Sequence, residues 1–436
     1  MPVTVARPRA LRGEIIAPGD KSVSHRAIML NALSHTGTAR ITNFSPGADC
    51  TSTVEIFRAL GVDIAREPGR DGMGDSLAVR GVGLNGLQEP ADVLDAGNSG
   101  TTTRLMSGIL AGRNIVTILT GDDSLKSRPM GRVVDPLRKM GAEITGRAGG
   151  TLAPLVFYGG SLKGTSYQMP VASAQLKSCL LLAGLRADGV TSITQPAESR
   201  DHTERMFSAM GVKLAKNGLE LTLEPSDLET VDIEIPGDIS SAAFWMIAGI
   251  CHPNAELLVR NVGINPTRAG IITLLQQMGA DLELVDQREM AGEPIADVLV
   301  KSSQLKGVEL SGDIVPLLID EIPVIAVAAA LADGTTTIRD AAELRVKESD
   351  RISASVSWMK GAGIDVTATG DGMVVIGGGS IGGGQFQSYD DHRLAMSLGV
   401  AGLVSDEPIT ILDPDVAGIS YPGFWETVER FGGLVG

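Results

Sequence analysis

The sequence predicts an α/β fold made of six tandem units, arranged as two bodies of three. Three observations support this prediction: a helix-glycine-strand phrase that recurs six times, a second set of helices that are apolar on every side, and a repeated Pro-Gly-Asp tripeptide that divides the six units equally. The recurring glycines are spaced by 80, 70, 68, 84 and 69 residues. Such regular spacing is typical of one folding unit repeated in tandem.

Each recurring phrase begins as a helix that ends on an apolar residue, continues with glycine and passes into a short alternating strand. Only glycine enters the left-handed position after a helix without strain, so the phrase predicts a helix end and a strand start at each copy. The phrase helices, such as 51–60 and 350–359, carry charge on one face and should be half-exposed. The six glycines are Gly61, Gly141, Gly211, Gly279, Gly363 and Gly432.

A second helix lies between successive phrases and is rich in Ala, Leu, Ile and Met. Because these stretches are nearly apolar all round, they predict helices that are buried on every side. The six copies run at about 24–33, 101–110, 174–185, 240–250, 322–331 and 392–403.

Two near-identical tripeptides mark candidate domain boundaries. Pro18-Gly19-Asp20 and Pro236-Gly237-Asp238 each follow a strand-like run, at 13–17 and 231–235, and each precedes a helix. They could be two ordinary turns before helix N-caps. Since cutting the chain there leaves three units on each side, we favour two crossover strands. The predicted domains are therefore 1–19 with 236–436, and an inserted domain over 20–235.

Composition excludes several classes of function. A net charge of −15 with 3% aromatic residues argues against nucleic-acid binding. Three distant cysteines and five scattered histidines form neither a disulfide framework nor a metal-ligand spacing. No signal-peptide core and no apolar run of about 18 residues occurs, so we expect a cytoplasmic protein with no membrane segment, metal or cofactor.

The unusual residues cluster where the buried helices begin. A helix N-terminus offers free N–H groups and roughly half a positive charge, so several converging N-termini would hold a multiply anionic ligand. Serine, asparagine and aspartate at such places are also ordinary caps. Cationic groups point more strongly to anions. These are Lys21 with Ser22 and Arg26, Arg128 before Pro129, and the run Arg345-Val346-Lys347-Glu348-Ser349-Asp350-Arg351.

These cationic groups allow two interpretations. Lys21 could reach a phosphate oxygen while Arg26 binds it with a bidentate fork. The run 345–351 could instead be a solvated helix start with paired charges.

Two nucleotide-binding motifs are only partly matched by this sequence. The segment 81–86 spells Gly-x-Gly-x-x-Gly, but Pro90 follows and no amphipathic helix opens there, so we expect a loop. Gly19-Asp20-Lys21-Ser22 lacks the upstream glycine of a phosphate loop. Nucleotide binding of either kind is not predicted.

Several short motifs follow one another in a specific order and spacing: Pro18-Gly19-Asp20-Lys21-Ser22, Gly97-Asn98-Ser99-Gly100-Thr101, Arg128-Pro129-Met130, Ser173-Ala174-Gln175, Ser199-Arg200-Asp201-His202, Asp320-Glu321, the run 345–351 and Asp391-His392-Arg393. Together they resemble the enolpyruvyl transferase family, and within it the 5-enolpyruvylshikimate-3-phosphate synthases, over essentially the whole chain. The resemblance implies two domains, each of three βαβαββ units in an inside-out α/β barrel, joined by two crossover strands, with the active site in the cleft between them.

The resemblance also implies which residues hold each substrate. Those for shikimate 3-phosphate are Lys21, Ser22, Arg26, Ser173, Gln175, Ser199, Arg200, Asp320 and Lys347. Those for phosphoenolpyruvate are Lys21, Asn98, Gly100, Arg128, Gln175, Arg351 and Arg393. Ammonium and guanidinium groups suit two phosphates and two carboxylates that must be neutralised together.

The implied reaction adds the 5-hydroxyl of shikimate 3-phosphate to C2 of phosphoenolpyruvate, through a tetrahedral intermediate that then loses phosphate. We expect Glu348 to give and take the C3 proton, and Asp320 or Lys21 to manage the hydroxyl proton. Lys347 and Arg351 should favour ionised Glu348, so an acid role needs protonation in the closed complex. The implied pathway leads through chorismate to the aromatic amino acids. We expect a monomer whose partners are the two substrates.

Two departures from the family pattern limit this transfer. The family often has lysine in a Lys-Thr-Phe-Pro run near its C-terminus, where this chain reads Ile419-Ser420-Tyr421-Pro422, so one phosphate contact is lost or supplied elsewhere. Ala174 stands where some members carry a second serine. Gly100 is retained where alanine would crowd the phosphoenolpyruvate phosphate, so we expect glyphosate to inhibit.

Three alternatives stay open at this point. UDP-N-acetylglucosamine enolpyruvyl transferase shares the fold and the donor, and its usual cysteine corresponds to Asp123 here, although aspartate can replace it. The acceptor-side motifs around Ser173 and Ser199 favour shikimate 3-phosphate. A six-unit DNA-binding ring would need basic residues along its inner helices. A non-catalytic anion binder would gain nothing from Asp320 and Glu348.

Overall fold

The computed structural model describes residues 1–35, 37–69 and 74–435. Its α-helices are α1 (Lys21–Leu33), α2 (Ala48–Ala59), α3 (Gly100–Leu110), α4 (Asp123–Ser127), α5 (Gly131–Lys139), α6 (Arg147–Gly150), α7 (Ala174–Gly184), α8 (His202–Ala209), α9 (Ile239–Cys251), α10 (Gly270–Gln277), α11 (Ile322–Leu331), α12 (Arg351–Gly361), α13 (His392–Val404) and α14 (Phe424–Arg430). Short 3-10 helices cover Gly312–Leu317, Ile319–Glu321, Ala342–Val346 and Pro414–Ile419.

The strands are β1 (Val3–Val5), β2 (Leu11–Ile16), β3 (Thr38–Phe44), β4 (Ile64–Glu67), β5 (Asp75–Arg80), β6 (Leu94–Asp95), β7 (Thr117–Thr120), β8 (Ile144–Gly146), β9 (Leu152–Phe157), β10 (Ser166–Gln168), β11 (Thr191–Thr194), β12 (Leu214–Asn217), β13 (Glu220–Leu223), β14 (Ile233–Glu234), β15 (Ala255–Gly263), β16 (Asp281–Met290), β17 (Glu293–Lys301), β18 (Glu309–Leu310), β19 (Thr335–Ile338), β20 (Asp365–Ala368), β21 (Met373–Ile376), β22 (Gly384–Phe386), β23 (Ile409–Ile411) and β24 (Leu434–Val435).

Within the described residues these strands form six four-stranded sheets, which confirms the sixfold α/β prediction. Their orders are β22-β23-β1-β24, β10-β11-β13-β12, β14-β3-β5-β4, β16-β17-β15-β2, β18-β19-β21-β20 and β6-β7-β9-β8. Each sheet has one parallel edge pair beside antiparallel neighbours. Sheets such as β18-β19-β21-β20 follow the expected βαβαββ order in an unbroken stretch of chain.

The recurring glycine ends a helix in every copy, as predicted. All six have a positive φ, between 74° and 103°. A left-handed residue after the last helical turn is the conformation that glycine adopts without strain. The segment 81–93 contains neither helix nor strand, so the loop expected at 81–86 is also confirmed.

The apolar helices are buried on every side, as their composition predicts. In α9 all residues from Ile239 to Ile250 are buried, and α13 is buried except for Arg393. The helix α1 begins at Lys21, three residues earlier than expected, because the Asp20 carboxylate accepts from Val23 N at 2.8 Å and caps the first turn. No described helix is long and apolar enough to cross a membrane.

The chain divides into two compact units, each with its own apolar core. Unit 1 comprises Met1–Pro18, Gly237–Arg288 and Pro294–Gly436. Unit 2 comprises Gly19–Pro236 and the short segment Glu289–Glu293. The chain therefore also passes briefly into unit 2 at the turn between β16 and β17.

Each unit includes an edge strand from a distant part of the chain. In unit 1, β2 runs parallel to β15, and β1 pairs with β23 and β24. In unit 2, β14 runs parallel to β3. In unit 2 Asp20 N donates to Pro236 O, and in unit 1 Asp238 N donates to Pro18 O, both at 2.8 Å.

Candidate active site

In unit 2 most of the predicted substrate-binding residues lie at the N-termini of α1, α3 and α7, while Arg128 follows α4 and Ser199 and Arg200 precede α8. Lys21 and Ser22 open α1, and Lys21 Nζ is 3.1 Å from Oδ2 of Asp49 on α2. Burial disfavours the charged form of Asp49, but the Lys21 ammonium and nearby cations outweigh burial and hold the Asp49 pKa below its usual value. Asp49, which no sequence pattern indicated, keeps Lys21 at the start of α1 through this ion pair.

Arg26 connects α1 to the other helices of the cluster. Its Nε donates to Thr203 Oγ1 at 2.7 Å, Nη2 to Ser178 Oγ at 2.8 Å and Nη1 to Ser22 O at 2.9 Å. Arg26 is 4% exposed. The Arg26 guanidinium therefore bridges α1, α7 and α8, and each of its nitrogens has a protein partner.

The N-terminus of α3 carries a second cationic group. Asn98 Oδ1 accepts from Arg128 Nη2 at 2.6 Å, while Asn98 Nδ2 donates to Asp122 Oδ2 at the same distance. A Cβ placed on Gly100 would lie 3.0 Å from Arg104 Nη1 and 3.5 Å from Arg128 Nη1. Two guanidinium groups thus lie beside the first residue of α3, where a helix N-terminus favours an anion.

Arg104 is a residue that the sequence argument missed. Its Nη1 donates to Gln175 Oε1 at 2.7 Å, and Gln175 Nε2 donates to Thr101 Oγ1 at 3.0 Å. Burial, with the charges of Arg132 and Arg128, lowers the Arg104 pKa to about 10. The sequence feature that could have indicated Arg104 is a single arginine one turn into an apolar helix.

The start of α7 and the loop before α8 complete the unit 2 group. Ser173 caps α7 by accepting from Leu176 N at 3.4 Å. Ser199 Oγ donates to Gln195 Oε1 at 2.7 Å, beside the half-buried Arg200.

The fully buried Lys177 supports this loop and was also missed. Its Nζ donates to Ser199 O at 3.1 Å and lies 2.6 Å from Glu204 Oε1. Lys177 is 0% exposed, and its hydrogen bond to Ser199 O holds the loop that carries Ser199.

In unit 1 the predicted residues lie at the N-termini of α11, α12 and α13. Arg351 opens α12 and is 1% exposed. Its Nε and Nη2 donate to the two oxygens of Asp391, at 2.8 and 3.2 Å, and Nη2 also donates to Glu348 Oε2 at 2.7 Å. Arg351 Nη1 lies 3.6 Å from Asp320 Oδ1. One buried guanidinium therefore holds both predicted catalytic carboxylates.

Lys347 adds a second cation beside Asp320. Its Nζ lies 3.6 Å from Asp320 Oδ1 and 2.7 Å from Glu343 Oε1. The solvated-helix interpretation of the run 345–351 is partly correct, since Arg345 pairs with Asp350 near the surface. It does not account for Arg351, which is buried.

The carboxylates around Arg351 are held in their charged forms. Burial opposes ionisation of Glu348, but the Arg351 charge outweighs it and lowers the Glu348 pKa. Burial likewise opposes ionisation of Asp391, and hydrogen bonds from Arg351 reverse that effect and lower the Asp391 pKa. The lowered Glu348 pKa agrees with the effect expected from its neighbours.

The remaining predicted residue, Arg393, is the second residue of α13. Its Nη1 lies 3.7 Å from Glu321 Oε1, and its side chain is 13% exposed. Near the C-terminus, Ile419 is 54% exposed and the buried Tyr421 accepts from Trp245 Nε1 at 3.0 Å. That segment supplies no cation where the family often has lysine.

The two groups differ in chemistry. The unit 2 group is dominated by cations and helix N-termini and is suited to binding anions. The unit 1 group places carboxylates against Arg351 and Lys347 and is suited to transferring protons.

Known proteins resemble this chain over nearly its whole length. Residues 5–428 match the family model described as EPSP synthase (3-phosphoshikimate 1-carboxyvinyltransferase). The 3-phosphoshikimate 1-carboxyvinyltransferase of Pelobacter propionicus is 51% identical over 98% of both chains. That of Synechococcus sp. (strain JA-3-3Ab) is 53% identical over 98% of this chain and 96% of its own. The solved structure of EPSP synthase from Acinetobacter baumannii superposes with a TM-score of 0.92 at 44% identity, covering 100% of this chain and 99% of that one.

Proposed function

The chain belongs to the EPSP synthase family, and on that premise we propose that it transfers the enolpyruvyl group of phosphoenolpyruvate to the 5-hydroxyl of shikimate 3-phosphate through the residues described above. The activity is a transferase step of the shikimate pathway, toward the aromatic amino acids. We also propose that the unit 1 and unit 2 groups act on one pair of substrates, in a cytoplasmic monomer that needs no cofactor.

The unit 2 group binds the anionic parts of the substrates in this proposal. The observation that carries it is the pair of guanidinium groups, from Arg104 and Arg128, beside Gly100 at the start of α3. These groups and Lys21 take the phosphoenolpyruvate anion. Arg26, Arg200 and the serines take the shikimate phosphate, supported by their position at the starts of α1 and α7 and in the loop before α8. Charge-assisted hydrogen bonds of this kind are about twice as strong as neutral ones.

The unit 1 carboxylates move the protons, with Lys21 of unit 2 as the alternative acceptor of the hydroxyl proton. In the first step the 5-hydroxyl oxygen bonds to C2, its proton passes to Asp320 or Lys21, and C3 gains a proton from Glu348. In the second step the C2–O bond to phosphate breaks and C3 returns a proton to Glu348. The Arg351 pair favours ionised Glu348, which suits the second step. Binding of anionic substrates raises the Glu348 pKa and supplies the protonated form for the first.

Phosphate release from phosphoenolpyruvate tests the proposal. We expect release with shikimate 3-phosphate and none with UDP-N-acetylglucosamine; activity with the sugar nucleotide alone would overturn it. Asp320→Asn and Glu348→Gln should each lower kcat by about 10²–10⁴-fold, the usual contribution of a general acid or base. The matched control is Glu309→Gln, because Glu309 pairs with Arg339 at 3.4 Å but is 59% exposed. Its kcat should be unchanged.

A further inference from the structure

A buried carboxyl beside the unit 1 group has no role in the mechanism above. Glu321 precedes α11 and is 2% exposed. Its Oε1 accepts a hydrogen bond from Ser240 Oγ, at the start of α9. The same oxygen lies 3.7 Å from Arg393 Nη1 and 3.9 Å from Arg268 Nη2. One oxygen therefore faces a hydroxyl and two guanidinium groups.

The charged groups around Glu321 lie on α13, before α10, before α9 and at the neighbouring position 320. Arg393 reaches it from α13 and Arg268 from the segment before α10. Two acids oppose them, since Asp320 adjoins Glu321 and the Asp238 cap of α9 lies 3.5 Å from Arg268. Burial raises the Glu321 pKa, and the cations do not restore it. The protonated form of Glu321 is therefore more accessible than that of an exposed glutamate.

Arg393 is held loosely by this carboxyl. The 3.7 Å separation is longer than a hydrogen bond, so the contact is a charge interaction alone. Among the described residues, Glu321 is also the one carboxylate within 4.0 Å of the Arg393 guanidinium. Arg393 thus keeps its donors for another anion, and the net charge it presents depends on whether Glu321 is ionised.

We propose that Glu321 is a positioning residue that couples phosphoenolpyruvate binding at Arg393 to the uptake of a proton. Neutral Glu321 leaves the full Arg393 charge to the substrate, whereas ionised Glu321 competes with the substrate for it. By reciprocity, a bound anion at Arg393 favours protonated Glu321. The inference rests on the proposed function, because it takes Arg393 as a phosphoenolpyruvate ligand.

The test compares phosphoenolpyruvate KM in the wild type and Glu321→Gln as pH rises from about 5.5 to about 9, above the pKa of an exposed carboxyl. Glutamine mimics the neutral form and can still accept from Ser240. We expect the wild-type KM to rise about tenfold more than that of the variant, which corresponds to a change of one unit in the Glu321 pKa on binding. The ionisation of phosphoenolpyruvate itself is common to both proteins and cancels in the ratio.

The controls separate this coupling from a structural role. The shikimate 3-phosphate KM should show no added inflection, and Glu309→Gln should follow the wild type. Parallel phosphoenolpyruvate profiles for the wild type and Glu321→Gln would overturn the proposal. If the variant does not fold, Glu321→Asp, which keeps a titrating carboxyl, should retain an inflection, and its absence would count equally against the proposal.

Calorimetry gives a readout that does not need turnover. Phosphoenolpyruvate is titrated into the wild type and Glu321→Gln in two buffers of different ionisation enthalpy. The wild type should take up more protons than the variant, and equal uptake would overturn the coupling. A wild type that binds phosphoenolpyruvate with this proton uptake but releases no phosphate would instead refute the proposed function.

Discussion

Replacing Asp391 by asparagine tests how much unit 1 depends on the buried pair with Arg351. Two hydrogen bonds of 2.8 and 3.2 Å join these side chains, which are 0% and 1% exposed. At an effective dielectric constant of about 20, opposite charges 2.8 Å apart attract by about 6 kcal/mol, and desolvation offsets part of this. Removing one partner of a buried pair costs about 3–5 kcal/mol. We expect about 3 kcal/mol, because Glu348 and Asp320 still face Arg351.

The substitution removes the charge of Asp391 and keeps the helix cap. Asp391 caps α13 by accepting from Arg393 N at 2.9 Å, and asparagine is as good an N-cap as aspartate. Because the folded-state pKa of Asp391 is lowered, its stabilisation is complete above the unfolded pKa and is lost as pH falls through the folded pKa. The stability difference between wild type and Asp391→Asn should therefore be full at pH 7 and shrink in acid.

Urea unfolding measured by tryptophan fluorescence reports on unit 1 alone. The three tryptophans of the chain all belong to that unit: Trp245, Trp358 and Trp425. The control is Asp350→Asn. Asp350 also caps a helix and pairs with an arginine, Arg345, at 2.9 Å, but is 38% exposed, so we expect a loss below about 1 kcal/mol. Equal losses in the two variants would refute the reasoning.

Further predictions concern unit 2. Gly100→Ala adds a Cβ 3.0 Å from Arg104 Nη1, so the Arg104 guanidinium must move. We expect phosphoenolpyruvate KM to rise about tenfold while shikimate 3-phosphate KM stays unchanged, and equal changes in both would contradict this. In the wild type, glyphosate should compete with phosphoenolpyruvate, and an inhibition constant far above the phosphoenolpyruvate KM would rule this out. Lys177→Met leaves Glu204 without its cation and should destabilise unit 2 by about 3 kcal/mol, measured by circular dichroism in urea. The variant also loses the hydrogen bond to Ser199 O, so shikimate 3-phosphate KM should rise. A rise in phosphoenolpyruvate KM instead would argue against a link to Ser199.

Much of the fold could be predicted because its signals are local. A helix that ends in a left-handed residue requires glycine at that position. A helix that is buried on all sides requires apolar residues along its whole length. The run at 231–235 was expected to be a crossover strand, but the strands that it and β1 would meet could not be predicted. Pairing of β1 with β23 and of β14 with β3 depends on tertiary contacts between segments that carry no mutual sequence signal.

The candidate site was predictable where polar residues open apolar helices, as at Lys21, Asn98 and Arg393. What was missed depends on partners from other helices. Arg104 and Lys177 are charged residues inside apolar helices. Their contacts with Gln175 and Ser199 depend on how the helices pack, which the sequence does not show.

The pairing of β1 with β23 and β24 has a consequence for biosynthesis. Val3 pairs with Ile411 and Thr4 with Val435, so the first strand emerges from the ribosome about 400 residues before its partners. At about 5–20 residues per second, that is a delay of roughly 20–80 s. Most of unit 2 is synthesised well before β23, whereas unit 1 cannot complete its sheets until β23 and β24 have been made. Nascent chains arrested before β23 should therefore carry protease-resistant unit 2 behind an unprotected amino-terminal strand that chaperones can bind.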